Sequence, residues 1–298
     1  MIEPVSPKNV TPAISDPSVD SRNRQKMLKT IFIYVFMTVL VIFYSFPLVG
    51  VVLTSLKTTA DIAKDGLWTL PDTLHFENFT TAWKDGNGQN YMINSFLVTI
   101  PATFLSIAMG VLSGYVFSKL SFKGSETLFI FVIAGMFFPP QIVLIPLFRL
   151  FNKIGLYDTL WPMIIVHIAF GIPICTLIMR NFFSTIPTAI RESALIDGAN
   201  EIQILTRVML PVSLPSLAVL ATLQFTWIWN DFLWPTIFTQ SDKWRTIMVG
   251  LVALKGQYSV AYGVQGAMAL IASIPTLLIF IFFQRYFIRG LTLGSVKG

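Results

Sequence analysis

"ESALIDGANEIQILTRVMLP", residues 192–211, lies between two long apolar runs yet carries acids, arginine, Asn and Gln. It is too polar to cross a bilayer and too regularly patterned for a slack linker. Local rules resolve it into two short helices. Pro187 suits a first helical turn, where its missing N–H is harmless. Gly198 is a natural stop after a helix reaching Asp197. Asn200 with Gln203 three residues on is a capping-box start. Ile202, Leu205, Val208 and Met209 then share one face at helical spacing, and Pro211 breaks the turn before the next apolar run.

Composition sets the surroundings. Hydrophobic residues make up 54% of the 298 and charged residues only 12%, against roughly 25% charged in a soluble domain. The mean hydropathy is +0.69. The class is a polytopic membrane protein. Six runs, 31–53, 91–118, 127–148, 159–179, 212–230 and 256–284, are free of charge and long enough to cross about 30 Å of hydrocarbon as helices. Residues 1–30 hold four prolines and end in Arg22, Arg24, Lys26 and Lys29, and are expected to form a disordered tail. The transmembrane domain is then 31–286, with a connecting loop at 185–211 and a tail at 287–298.

Six spans put both termini on one side. With that side inside, 13 of the 21 lysines and arginines fall on inner segments and eight on outer ones, which favours cytoplasmic termini. Segment 192–211 is then a helix–Gly–helix platform at the inner surface. Ser193 and Ala194 are small enough for a partner to approach its backbone. Two readings stand on physics alone: an apolar stripe seated in a partner's groove, and an interfacial helix touching only lipid.

The pattern resembles the coupling-loop signature of permease subunits of ATP-binding-cassette (ABC) importers, E-A-A-x3-G-x9-I-x-L-P. Glu192, Ala194, Gly198, Leu210 and Pro211 match at that spacing, with Ser193 for the first Ala and Val208 for the Ile. "ENFTTAW" (77–83), "YMINSFLVT" (91–99), "WNDFLWP" (229–235) and "GLTLGSVKG" (290–298) are similar to segments of maltose-type carbohydrate permeases, in particular the smaller maltose permease subunit. The resemblance implies an all-α fold of six transmembrane helices, the type I ABC importer permease fold. It implies a multi-pass subunit of the bacterial cytoplasmic (inner) membrane whose 192–198 segment seats in an ATPase. The tail residues Gly294, Ser295, Val296 and Lys297 would reach the same ATPase. The implied partners are a second homologous permease in a heterodimer, two ATPase subunits, an external solute-binding protein and a carbohydrate, maltodextrin-like or acidic as in alginate fragments. ATP and Mg would be bound by the ATPase partners and no cofactor by this chain.

The residues agree that the engine lies elsewhere. No phosphate-loop pattern G-x-x-x-x-G-K-[ST] occurs. No Asp or Glu falls inside the six runs, where an ion-coupled carrier usually places one. The titratable side chain deepest in a run is His167, read as packing or as a relay. One cysteine and two histidines leave little for a metal. No catalytic cluster and no nucleic-acid face stands out, so the chain is read as no enzyme. Alternatives from other classes remain an ion-coupled sugar carrier and a scaffold subunit.

A pathway is sketched by irregularities. Pro139, Pro140 and Pro146 surround Gln141 and bend or break the third run. Trp227, Trp229, Asn230, Asp231 and Trp234 combine aromatic faces with hydroxyl-binding groups, the types a sugar site needs, though interfacial belts use the same aromatics. Gly110 and Gly114 form a G-x-x-x-G packing face, and Cys175 reads as inert packing. The outer loop 57–90, with a turn at 86–88, is expected to meet the binding protein.

Overall fold

The structure, a computed structural model, describes residues 17–254 and 261–293. The chain divides into two compact units, 1–50 and 51–298. The described part of the first belongs to α1 (Pro17–Ser55), whose last residues, 51–55, fall in the second. That helix starts well before Ile31, so residues 17–30, expected to be disordered, are helical. Pro17 tolerates the first helical position, and a span already nucleated extends through Arg, Gln and Lys, all good helix formers, at little cost. Residues 1–16 lie outside the described residues.

The second unit follows as α2 (Thr59–Asp65), α3 (Glu77–Trp83), α4 (Gly88–Lys119), α5 (Ser125–Ala134), α6 (Pro140–Lys153), α7 (Trp161–Thr185) and α8 (Thr188–Ile196). Then come α9 (Glu201–Gln203), a π-helical turn Ile204–Met209, α10 (Leu210–Val212), α11 (Leu214–Trp229), α12 (Leu233–Phe238), α13 (Ile247–Ala253) and α14 (Tyr262–Leu293). Among the described residues four helices suffice by length and hydropathy to cross a membrane, and six if each of two bent pairs counts as one crossing.

The bends correct two expected spans. The third run is not one helix: Ser125–Phe137 and Pro140–Lys153 meet at 91°. Pro139 and Pro140 remove two successive donors, and neither limb, at about 20 Å, crosses alone. The fifth begins at Leu214 and meets Glu201–Val212 at 80°. Its break falls at Ser213, two residues beyond Pro211. The sixth runs Tyr262–Leu293, further toward the C-terminus than 256–284.

α4 and α7 form the broadest pair, and glycine makes it possible. A Cβ on Gly110 would stand 2.2 Å from Cys175 Cβ, and one on Gly114 2.7 Å from Met179 Cβ. The expected G-x-x-x-G face is thus a seam of close backbone approach, with Cys175 buried inside it. Ser113 and Thr176 share a 2.6 Å hydrogen bond across it. Buried Gln224 of α11 donates to Gly171 O of α7 at 3.3 Å, which satisfies a polar group that lipid would penalise. α11 is fixed to α14 by Trp229, whose Nε1 donates to Ala272 O at 2.9 Å.

Candidate functional site

The platform forms at the end of the bundle where α4 and α7 finish. Pro187 is the N-cap of α8, one position before the first turn. The chain leaves α8 through Gly198, whose φ of +83° suits glycine. Backbone bonds from Asp197, Gly198 and Ala199 to the carbonyls of Ser193, Leu195 and Ala194, each 3.0 Å, close the turn. Asn200 and Gln203 cap α9 reciprocally, side chain to backbone, at 2.9 Å both ways. Both devices were legible in the residues.

The expected apolar stripe is corrected. Ile204, Leu205 and Met209 are buried, whereas Ile202 is 73% exposed and Val208 only half-buried. The turn is π-helical, with Leu210 N–H bonding Leu205 O, so residues five apart, such as Ile204 and Met209, share the buried face. Pro211 has no N–H for the carbonyl four residues back and its ring crowds it; the turn widens just ahead of it.

These residues enter an apolar cluster with Val111, Tyr115, Met179, Phe183 and Ile186, against which Ala194 and Ala199 pack. Glu192, Ser193, Asp197 and Gly198 stay exposed, and Ile196 is 87% exposed. Leu210, partly buried, packs against the cluster, and Pro211 lies in the short α10. Five of the signature residues therefore fall into two groups: Glu192, Ser193 and Gly198 face outward, and Ala194 and Leu210 hold the platform to the bundle.

Sequence reasoning missed the polar joint beneath it. Arg191 pairs with Glu201 across the Gly198 turn, Nη2 on Oε1 and Nε on Oε2, the latter at 3.2 Å. Tyr115 OH donates to the same Oε2 at 2.5 Å. The bonds from Arg191, then from Tyr115, outweigh partial desolvation and hold the Glu201 carboxyl below its ordinary range. Arg191 and Glu201 flank a Gly, a weak signal of pairing; Tyr115 is 86 residues away and gave none.

The opposite end carries the pathway candidates. α11 turns its tryptophans apart, Trp229 into the core and Trp227 outward. Trp234 is also core, stacked on Phe238. Asn230 is exposed and bonds Thr226 O at 2.9 Å. Asp231, just ahead of α12, accepts from the Leu233 and Trp234 N–H groups of its first turn at 3.1 and 3.2 Å. Its Oδ2 lies 3.4 Å from His167 Nε2. Gln141 is exposed in the first turn of α6. Trp229 and Trp234 are thus structural, whereas Gln141, Trp227 and Asn230 are exposed. A groove of about 740 Å³ between α4, α11 and α14 is lined by Phe96, Phe104, Phe225, Leu278 and Phe282 among others; its apolar walls offer sugar hydroxyls almost no partner.

A ladder on α4 fastens the loop after α12. Asn87, in the left-handed region as the N-cap of α4, and Tyr91 donate to Asp242 at 2.8 and 2.5 Å. Asn90 donates to Lys243 O, and Ser95 Oγ accepts from Ile247 N–H. Asp158 holds the other side, accepting from Gln240 and Ser241 N–H at 2.8 and 2.9 Å. In the 57–90 loop, Lys57 is buried and donates to Gly66 O and Thr69 Oγ1 at 3.0 and 2.7 Å. Among the described residues no His, Cys, Asp and Glu cluster suits a metal. The tail residues Gly294 to Lys297 lie outside the described residues.

Comparison with known proteins agrees with the architecture. Residues 102–293 match the family described as "Binding-protein-dependent transport system inner membrane component". The probable ABC transporter permease protein YurM of Bacillus subtilis is 31% identical, over 94% of this chain and 92% of its own. The arabinooligosaccharides transport system permease protein AraQ of Halalkalibacterium halodurans is 34% identical, over 85% and 91%. In structure, a bacterial ABC transporter involved in the import of the acidic polysaccharide alginate superposes with a TM-score of 0.76, covering 93% of this chain and all of that one, at 22% identity.

Proposed function

This chain belongs to the family of binding-protein-dependent transport system inner membrane components, the permeases of ABC transporters, and from that premise we propose that it forms half the membrane path of an oligosaccharide importer powered by separate ATPase subunits. The exposed outer face of α8 carries the reading. It presents Glu192, Ser193, Ile196 and Asp197, while the inner face is fastened to the bundle. An isoleucine so exposed beside two carboxylates fits a partner's cleft better than a lipid surface, where acids are disfavoured by anionic headgroups. In this reading the platform end is cytoplasmic, the tail 294–297 touches the ATPase, and a second permease completes the pathway. An external binding protein delivers the substrate to the opposite end.

The residues act by binding and leverage. Closure of the ATP-loaded ATPase draws the platforms of the two permeases together, and the spans rearrange around a central cavity. ATP and Mg reside on the ATPase. The oligosaccharide class is supported by AraQ, whose name gives arabinooligosaccharides as its cargo; maltodextrins and alginate fragments fit the same reading. Gln141, Trp227 and Asn230 are the exposed polar and aromatic candidates along the path. One arrangement favours an ion-coupled carrier, the approach of His167 to Asp231, but two backbone donors already hold that carboxylate.

Purification from the native membrane with mild detergent tests the proposal. Two ATPase subunits and a second permease are expected in the complex, with a bound oligosaccharide identifiable by mass spectrometry. Gly198→Val should abolish ATPase recovery while the chain still inserts. Ion-gradient-driven sugar uptake by vesicles holding this chain alone would sink it.

A further inference from the structure

If α8 is the docking lever, some groups must carry its displacement into the spans. Apolar packing resists separation but, being non-directional, fixes no particular orientation. Charge-assisted hydrogen bonds do: they are short and directional, and a two-point Arg–carboxylate pair fixes a plane as well.

Such a path leads out of α8. Arg191 holds Glu201 through two nitrogens, so both arms of the hairpin move as one piece. Glu201 passes the connection to Tyr115 on α4 at 2.5 Å. Tyr115 is buried, edge-on to Phe183 of α7 at 6.0 Å between centroids. Next to it on α4, Gly114 begins the seam where α4 and α7 are in backbone contact. A push on the platform therefore has a directional route into α4 through the Glu201 carboxylate.

The platform has further attachments. Its π-helical turn continues through the 80° bend at Ser213 into α11. The platform is thus joined by the chain itself to α11 and, through Ile186–Pro187, to α7, and to α4 by side chains. Without the Tyr115–Glu201 bond, α4 would follow the platform only through apolar packing and the bond from Lys119 Nζ to Ile186 O at 2.5 Å.

We infer that Tyr115 is a positioning residue that, through Glu201 and Arg191, transfers movement of the platform to α4 and sets how much transport each ATP yields. The inference rests on the docking reading of α8.

The test uses the complete transporter, reconstituted in vesicles with its binding protein, with uptake and ATP hydrolysis read in parallel. Tyr115→Phe removes the hydroxyl and keeps the ring. It is expected to recover the ATPase in wild-type amounts and to hydrolyse ATP near the wild-type rate. Uptake per ATP should fall about tenfold, the scale of one hydrogen bond to a charged group. Glu201→Gln keeps the shape and weakens both bonds, and the double variant should be no worse than the poorer single one, because a shared path is non-additive. Unchanged uptake per ATP in Tyr115→Phe, or additive losses, would overturn the inference. So would failure of both variants to assemble, which would make the joint merely structural. A wild-type chain that recovers no ATPase refutes instead the docking reading itself.

Discussion

Asn94 of α4 donates to two carbonyls of the loop after α12 at once, Lys243 O at 2.8 Å and Arg245 O at 2.9 Å. Asn94 is buried, and its amide serves both carbonyls, that of Lys243 together with Asn90 at 2.9 Å. Asn94→Ala leaves two acceptors without that donor and should destabilise the loop by about 1–3 kcal/mol. Limited proteolysis of the detergent-solubilised protein should then cut between 239 and 247 at least several-fold faster. Asn94→Asp, which presents only acceptors to two carbonyls, should be worse. Equal cleavage rates for wild type and both variants would count against the clamp.

Gly110 and Gly198 predict opposite kinds of damage. At Gly110 a methyl group would overlap Cys175, and the obstacle includes backbone that cannot swing aside. Gly110→Ala should destabilise the isolated chain by about 1–3 kcal/mol, seen as a lower temperature of thermal aggregation in detergent.

At Gly198 no atom lies within 4 Å of an added Cβ, but φ is +83°. Gly198→Ala should destabilise the isolated chain by about 1 kcal/mol through backbone strain alone. Asn, which tolerates that conformation, should recover most of the stability. If ATPase recovery nevertheless fails with Asn, the partner approaches the backbone there more closely than a side chain allows. If Asn restores both, only the turn geometry matters.

What could be read beforehand follows from range. Gly198 as a stop, the Asn200–Gln203 box and the Gly110–Gly114 face are set within one or two turns, and residue chemistry suffices for them. The 91° break at Pro139–Pro140 was legible as a break, its angle was not, because a missing donor says where a helix fails and not where the chain goes next. The π-helical turn was not legible: it arises from Pro211 acting backward on residues that taken alone read as ordinary helix. Trp229 and Trp234 resembled sugar platforms because burial against α14 and α7 is long-range information. The Tyr115–Glu201 joint was hidden for the same reason.

The same joint fixes a pH response. Glu201 has a folded-state pKa below its ordinary 4.5, held there first by Arg191 and then by Tyr115. A depressed carboxyl contributes stability that is fully present above its unfolded pKa and is lost as pH falls through the lower folded value. Asp242 in the opposite loop is also depressed: burial raises it, and the bonds from Tyr91 and Asn87 together with Arg245 more than offset that. Both ends of the bundle therefore keep their polar joints throughout the neutral range and lose them only in acid below the usual carboxylate values. Uptake per ATP should be flat between about pH 6 and 8 and fall only in strong acid. Glu201→Gln should be low and flat over the same neutral range, since it has no proton to gain. A wild-type ratio that changed severalfold around pH 6.5 would point to a histidine as the controlling group and away from these carboxylates.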